Sequence, residues 1–185
     1  DPTVDEALMI EALVLHSLKH KYVLGLVGIS STTMPFLIVT EMMQNGDLKT
    51  YLRACRPSQP KPKATLTLLD IATIVERIAG ALAYLEAVSV VHRDVAARNV
   101  LVGAGPTDVK LGDLGAARSV FREESREYTA TSDHKPARWM ALESLKAATF
   151  SNKTDVWGFG VLCWEVTTLA KTPYGAMGVK DMVDS

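Results

Sequence analysis

The stretch VVHRDVAARNVLVG, residues 90–103, interrupts an apolar run with charged and amide side chains and then resumes it at once. The interrupting residues are His92, Arg93, Asp94, Arg98 and Asn99. A buried charge is costly unless it is paired or used. This pattern therefore needs either a structural or a chemical reason.

Two short apolar runs, NVLVG and DVKLG, flank the turn-like AGPT at residues 104–107 and predict a β-hairpin. Pairing the strands about that turn fixes their register. The predicted opposite pairs are Val100–Leu111, Leu101–Lys110 and Val102–Val109.

The same register sets Asn99 opposite Gly112, so that Asn99 and Asp113 emerge at one open end of the hairpin, close to Asp94. Oxygen ligands of this kind suit Mg²⁺, which usually shares its ligands with phosphates. The alternative is a hairpin whose polar side chains only satisfy backbone groups, since Asp and Asn both favour turns. That alternative is strong for a single residue and weak for the whole set.

Composition describes an ordinary globular chain of 185 residues, 48% hydrophobic, with a formal net charge of −1. There is no basic stripe, so nucleic acid and membrane surfaces are poor candidates as partners. Cys55 and Cys163 have no metal-type spacing and predict two reduced thiols. The N-terminus lacks a signal-peptide pattern, and the longest apolar run, VWGFGVLCW, is too short to span a membrane.

The rest of the chain predicts an α+β fold. An apolar stripe with Glu11 beside it predicts a helix over residues 4–17, and YVLGLVGI and PFLIVTEM predict two strands. Asp47 is placed to cap a short helix, and Thr67 with Asp70 resembles a capping box before a long amphipathic helix. Residues 115–142 predict a long loop, and residues 154–168 predict an unusually apolar helix. We expect the three tryptophans, Trp139, Trp157 and Trp164, to lie in the core.

HRDVAARN followed by DLG at 113–115 resembles the catalytic loop and magnesium motif of protein kinases. Further segments match in the same order: EALVLHSLKH resembles the end of helix αC, LIVTEMMQNGDL the last N-lobe strand and hinge, KPARWMALE the Ala-Pro-Glu segment, and DVWGFGVLCWEV the central C-lobe helix. This resemblance covers nearly the whole chain. It implies a partial protein kinase-like fold, with residues 1–46 as the remnant of the N-lobe and hinge and residues 47–185 as a truncated, mainly helical C-lobe.

Within this family, Ala96 and Arg98 match the AARN pattern of tyrosine kinases, whereas serine/threonine kinases place Lys at the position of Ala96. The segment NGDLKTYLRACRPSQP is most similar to receptors of the insulin-receptor, anaplastic lymphoma kinase and ROS-like groups. The resemblance therefore implies a protein-tyrosine kinase that transfers the γ-phosphate of ATP to tyrosine hydroxyls, in an intracellular domain of a receptor that dimerises.

The resemblance also implies roles for individual residues. Asp94 would accept the proton of the substrate hydroxyl and Arg98 would steady it, while Asn99 and Asp113 would hold Mg²⁺ against the phosphates of ATP. The ATP site would further include the αC glutamate Glu11, the gatekeeper Thr40, the backbone of Glu41 and Met43, and the adenine floor Leu101. Tyr128, in the long loop, would be phosphorylated and Arg93 would pair with its phosphate.

The chain departs from the family pattern at Leu114, where tyrosine kinases usually have Phe, and at Leu142, which replaces Pro. No glycine-rich loop or lysine strand precedes Asp1, so we expect this segment alone to bind ATP weakly and catalyse poorly. The alternative function is a pseudokinase or scaffold, which the intact Asp94, Asn99 and Asp113 disfavour. A serine/threonine kinase is disfavoured by Ala96.

Overall fold

The computed structural model describes residues 12–30, 37–119, 137–178 and 181. Residues 12–17 are helical (α1). The strands and longer helices that follow are β1 (Leu26–Ser30), β2 (Leu37–Thr40), α2 (Leu48–Ala54), α3 (Leu68–Ala87), β3 (Val90–Val91), β4 (Val100–Val102), β5 (Val109–Leu111), β6 (Arg118–Ser119), α4 (Leu142–Ala147) and α5 (Asn152–Thr167). Short 3₁₀ turns occupy Ala97–Asn99, Leu114–Ala116 and Ala137–Trp139. The fold is α+β, as predicted.

The described strands form three separate antiparallel pairs: β1 with β2, β3 with β6 and β4 with β5. The β4–β5 register is the predicted one, with Val100 opposite Leu111 and Val102 opposite Val109. The valines of this ribbon face the core, because a period of two sends alternate side chains to one side. The ribbon therefore anchors the polar loop that precedes it.

Both predicted helix caps are confirmed. The Asp47 side chain accepts the Thr50 N–H at the start of α2, and Thr67 and Asp70 form a reciprocal capping box at the start of α3. The buried stripe of α3 includes Ile74, Ile78, Ala81 and Leu85, and this stripe forms one wall of the hydrophobic core.

Helix α5 packs against α3 and buries Leu162 and Val166 in the same core. Its outward side is also apolar, and Trp157 and Trp164 are 47% and 39% exposed there. The expectation that these two tryptophans lie in the core is therefore wrong for the described residues. The physical reason is that α5 is apolar all round, so one packed face cannot cover all of its apolar side chains.

The polar region predicted as one long loop begins with regular secondary structure. A 3₁₀ turn follows Asp113, and β6 then pairs Arg118 with Val91 and Ser119 with Val90. Two-residue strands carry no periodicity, which is why the sequence pattern did not indicate them. Residues 120–136 lie outside the described part.

Candidate active site

The loop between β3 and β4 is held by a buried carboxylate on α5. Asp155 is 4% exposed, and its two oxygens accept the backbone N–H of His92 at 2.7 Å and of Arg93 at 2.8 Å. Arg93 has a positive φ of 71°, which costs a non-glycine residue about 1 kcal/mol or more, so this backbone needs such external support. Burial raises the pKa of Asp155, and its two N–H donors act in the opposite direction.

Asp94 is positioned by two neighbours on its own loop. Its Oδ1 forms an ion pair with Arg98, and the Asn99 side-chain amide donates to its Oδ2 and to its backbone carbonyl, both at 2.7 Å. About a fifth of the Asp94 side chain is exposed (21%). The carboxylate is therefore fixed in direction and still reachable from outside.

The predicted convergence of Asn99 and Asp113 rests on one hydrogen bond of the ribbon. The Gly112 N–H donates to the Asn99 carbonyl at 2.8 Å, which places the two polar residues at the same end of β4–β5. Asp113 itself has a left-handed backbone (φ 53°, ψ 67°) and is exposed. The next residue, Leu114, is fully buried and so keeps the apolar character of the Phe that tyrosine kinases usually have there.

His92 connects this end of the ribbon to Asp94. It is fully buried, with Nε2 3.0 Å from the Gly112 carbonyl and Nδ1 3.3 Å from the Asp94 backbone N–H. These partners require a neutral ring that is protonated at Nε2. His92 therefore joins the backbone at Asp94 to the residue before Asp113.

The segment after β2 carries the residues predicted to face the adenine ring. Thr40 ends β2 opposite Leu26, and Leu101 lies in β4, half-buried. The Glu41 N–H donates to the Gly25 carbonyl at 3.0 Å. Within the described ranges, the Glu41 carbonyl and the Met43 N–H make no hydrogen bond, so they can serve a ligand.

Lys110 has a structural role that its sequence pattern did not indicate. Its Nζ lies 2.7 Å and 2.8 Å from the two carboxylate oxygens of Glu41, and the Gly25 N–H donates to the same carboxylate at 2.7 Å. This ion pair joins β5 to the segment after β2. The predicted register already aimed Lys110 away from the core, but it could not supply a partner 69 residues away.

Two predicted site residues, Glu11 and Tyr128, lie outside the described residues. The predicted partner of the Tyr128 phosphate, Arg93, has its guanidinium 5.2 Å from the centre of the Phe150 ring. Among the described residues, the structure thus brings together Asp94, Arg98, Asn99 and the Gly112–Asp113 junction at one edge.

Comparison with known proteins identifies the family. The profile of protein tyrosine and serine/threonine kinases matches residues 1–185, so the chain belongs to that family. The resemblance inferred from the motifs is confirmed.

Relatives include protein sevenless of Drosophila virilis, which is 40% identical over 175 residues and aligns with 91% of this chain and 7% of that protein. The insulin receptor-related protein of Mus musculus is 42% identical over 170 residues, with 89% and 13% covered. Discoidin domain-containing receptor tyrosine kinase B of Caenorhabditis elegans is 41% identical over 178 residues, with 95% and 21% covered. The chain therefore spans between 7% and 21% of the length of these relatives.

Among the described residues, none of the helices combines the length and the apolar composition that crossing a bilayer requires.

Proposed function

We propose that this chain carries the catalytic machinery of a protein-tyrosine kinase that transfers the γ-phosphate of ATP to tyrosine hydroxyls. The observation that supports this best is the fixed carboxylate of Asp94, paired with Arg98 and Asn99 on a loop whose backbone is anchored by Asp155. Phosphoryl transfer depends mainly on positioning and charge stabilisation, and both are built into this loop.

In this proposal Asp94 accepts a hydrogen bond from the substrate hydroxyl and takes its proton late in the transfer. Arg98 and Asn99 hold the carboxylate so that it need not reorient as the proton arrives. Because Asp94 is partly exposed, a side chain from another protein can reach it.

The donor set near Asp113 fits Mg²⁺. Asn99 uses its amide nitrogen on Asp94, which leaves its side-chain oxygen for a ligand, and the Asp113 carboxylate is exposed. Within the described residues there is no group of three or more His, Cys, Asp or Glu side chains that could hold a metal by itself. Two oxygen donors suit an ion that completes its shell with phosphates and water. When bound, Mg²⁺ would neutralise charge on the phosphates of ATP.

For ATP itself, the proposed adenine contacts are the Glu41 carbonyl and the Met43 N–H, with Leu101 as the apolar floor. The small gatekeeper Thr40 would leave space behind the ring. Glu11 would pair with the lysine that contacts ATP in the family. We likewise propose that the boundary between the N-lobe remnant and the C-lobe lies near residue 46.

Tyrosine rather than serine specificity is supported by Ala96 and Arg98. Ala96 is fully buried and offers no side chain toward a substrate. The Arg98 guanidinium lies 4.6 Å from the centre of the Trp139 ring, in the segment that resembles the Ala-Pro-Glu segment of tyrosine kinases. We infer that Arg98 and Trp139 form a flat platform set back from Asp94, which suits the longer tyrosine side chain.

Receptor-type signalling is proposed from the names of the relatives, which include a receptor tyrosine kinase and an insulin receptor-related protein. The chain would then belong to an intracellular domain, and dimerisation of the parent receptor would bring two copies together.

In that setting, phosphorylation of Tyr128 would raise activity, with Arg93 as the phosphate partner. The Tyr128→Phe variant is expected to have lower activity, and equal rates before and after phosphatase treatment of the wild type would contradict this.

The test uses the full-length protein, radiolabelled ATP, Mg²⁺ and two peptides that differ only in carrying tyrosine or serine. We expect label on the tyrosine peptide and a decrease in kcat of about 100-fold or more for Asp94→Asn, because the proton acceptor is lost. Glu86→Gln, an exposed change on α3, is the matched control.

The outcomes separate the alternatives. Label on the serine peptide alone would favour a serine/threonine kinase. ATP binding without transfer to either peptide would favour the pseudokinase.

A further inference from the structure

Glu165 places a carboxylate in the middle of apolar helix α5, and the proposed mechanism does not use it. Its side chain is 1% exposed. Buried carboxylates are rare unless they have partners, because removal from water is costly. Its position within DVWGFGVLCWEV therefore calls for a specific role.

Among the described residues, two groups donate to Glu165, and both donate to the same oxygen. The Ala97 backbone N–H donates to Oε2 at 2.9 Å, and the Trp139 indole Nε1–H donates to Oε2 at 2.8 Å. Ala97 begins the 3₁₀ turn that carries Arg98 and Asn99, and Trp139 ends the turn at 137–139. Glu165 thus joins the catalytic loop to the segment that resembles Ala-Pro-Glu.

The indole ring then leads back to the reacting carboxylate. The Arg98 guanidinium lies 4.6 Å from the ring centre of Trp139, within range of a cation–π contact, and Arg98 forms the ion pair with Asp94. The ring can support the guanidinium only in one orientation, and the hydrogen bond from the indole N–H to Glu165 fixes that orientation. The contacts therefore form one chain: Glu165, Trp139, Arg98, Asp94.

We propose that Glu165 is a positioning residue for phosphoryl transfer, acting through the Trp139 ring on the Arg98–Asp94 pair. This inference rests on the proposed function, since it assumes that Asp94 is the group that accepts the substrate proton. Within the described part of the chain the second oxygen, Oε1, is buried without a hydrogen-bond partner. The contacts made by Glu165 therefore depend on one well-placed acceptor oxygen, Oε2, and not on hydrogen bonds to both carboxylate oxygens.

A purely structural role would give a different pattern of kinetics. If Glu165 only stabilised the fold, its loss would lower thermal stability and the amount of active enzyme. The resulting fold-decrease in activity would then be the same with or without a substitution of Arg98. A positioning residue lowers kcat, leaves the KM for ATP nearly constant, and has no further effect once Arg98 is gone.

The experiment measures steady-state kinetics of the full-length protein with ATP and the tyrosine peptide. Trp139→Phe keeps an aromatic ring but removes the N–H donor. We expect kcat to fall about tenfold with the KM for ATP within about twofold, because the ring loses its fixed orientation. The control is Trp157→Phe, the same change at an exposed tryptophan of α5, which is expected to keep wild-type kinetics.

Coupling is tested by Arg98→Ala with and without Trp139→Phe. In the Arg98→Ala background, Trp139→Phe is expected to change kcat by less than about twofold. Glu165→Gln retains an acceptor oxygen for the indole N–H, so we expect kcat to stay within about threefold of the wild type. Because this substitution is conservative, it tests the position in a protein that still folds. Thermal denaturation of each variant confirms that folded protein is compared.

An unchanged kcat for Trp139→Phe, or the same tenfold loss in the Arg98→Ala background, would overturn the proposal. So would a Glu165→Gln variant that is folded but less active than Trp139→Phe. The proposed function fails separately: it fails if Asp94→Asn keeps its activity. If Asp94→Asn is inactive and Trp139 and Arg98 act independently, only the role of Glu165 is refuted.

Discussion

Arg56 offers the sharpest test of how the end of α5 is held. Its Nε donates to the Leu169 carbonyl at 2.8 Å and its Nη2 to the Ala170 carbonyl at 2.7 Å. Leu169 and Ala170 both have positive φ values, 53° and 57°, a conformation that costs a non-glycine residue roughly 1–2 kcal/mol. Two consecutive strained residues therefore depend on this side chain.

The expected cost of Arg56→Ala follows from these contacts. Hydrogen bonds from a charged group contribute about 1.5–3 kcal/mol each, and the half-buried site lets water replace part of them. We therefore expect the free energy of unfolding to fall by about 2–3 kcal/mol. Arg56→Lys keeps the charge but cannot reach both carbonyls as a planar fork, and should lose about 1–2 kcal/mol.

The assay is urea denaturation at constant m-value, read from the shift in midpoint. The matched control is Arg53→Ala, because the exposed Arg53 side chain makes, among the described residues, a single 3.4 Å contact with the Ala170 carbonyl, and its loss should cost less than about 1 kcal/mol. A loss for Arg56→Ala no larger than that for Arg53→Ala would refute the reasoning.

Three further predictions concern single groups. Asp155→Asn leaves an amide nitrogen facing one of the two backbone N–H donors, so kcat and the free energy of unfolding should both fall. We expect the free energy of unfolding, measured by urea denaturation, to fall by about 2–3 kcal/mol, and stability equal to the wild type would contradict this. Lys110→Met removes the cation beside half-buried Glu41 and should lower the free energy of unfolding by about 1 kcal/mol in the same assay. This difference should shrink at high salt, and a difference that does not change with salt would argue against a stabilising Lys110–Glu41 ion pair. Burial raises the pKa of both Cys55 and Cys163, so alkylation by iodoacetamide should be slow at neutral pH and still accelerating above pH 9, and rapid labelling at pH 7 would disprove it.

Local patterns were sufficient wherever the interacting groups are close in sequence. The β4–β5 register was predictable because a four-residue turn and a period of two leave one pairing that buries both valines of β4. The caps at Asp47 and Thr67 were predictable because each bonds a backbone group three residues away. Asp94 and Asn99 are five residues apart, so their association needed no distant partner.

The expectation for the tryptophans shows where composition misleads. Apolar character predicts a tendency toward burial, but it does not say which face of a helix finds a partner. Trp157 and Trp164 are exposed although their helix forms part of the core. The β3–β6 pair was not foreseen for a related reason, because two residues are too few to show a period.

The sequence by itself determined the ribbon, the helix caps and the family, and it predicted the residues of the candidate site. Only the tertiary structure decided which further distant groups support that site: Glu165 bonds a backbone 68 residues away, and Lys110 pairs with Glu41, 69 residues away. Short-range order is encoded by spacing, because neighbours in the chain meet whenever an element forms. Distant groups meet only when whole elements pack, and no periodicity in a single sequence specifies which side chains will then lie within hydrogen-bond distance.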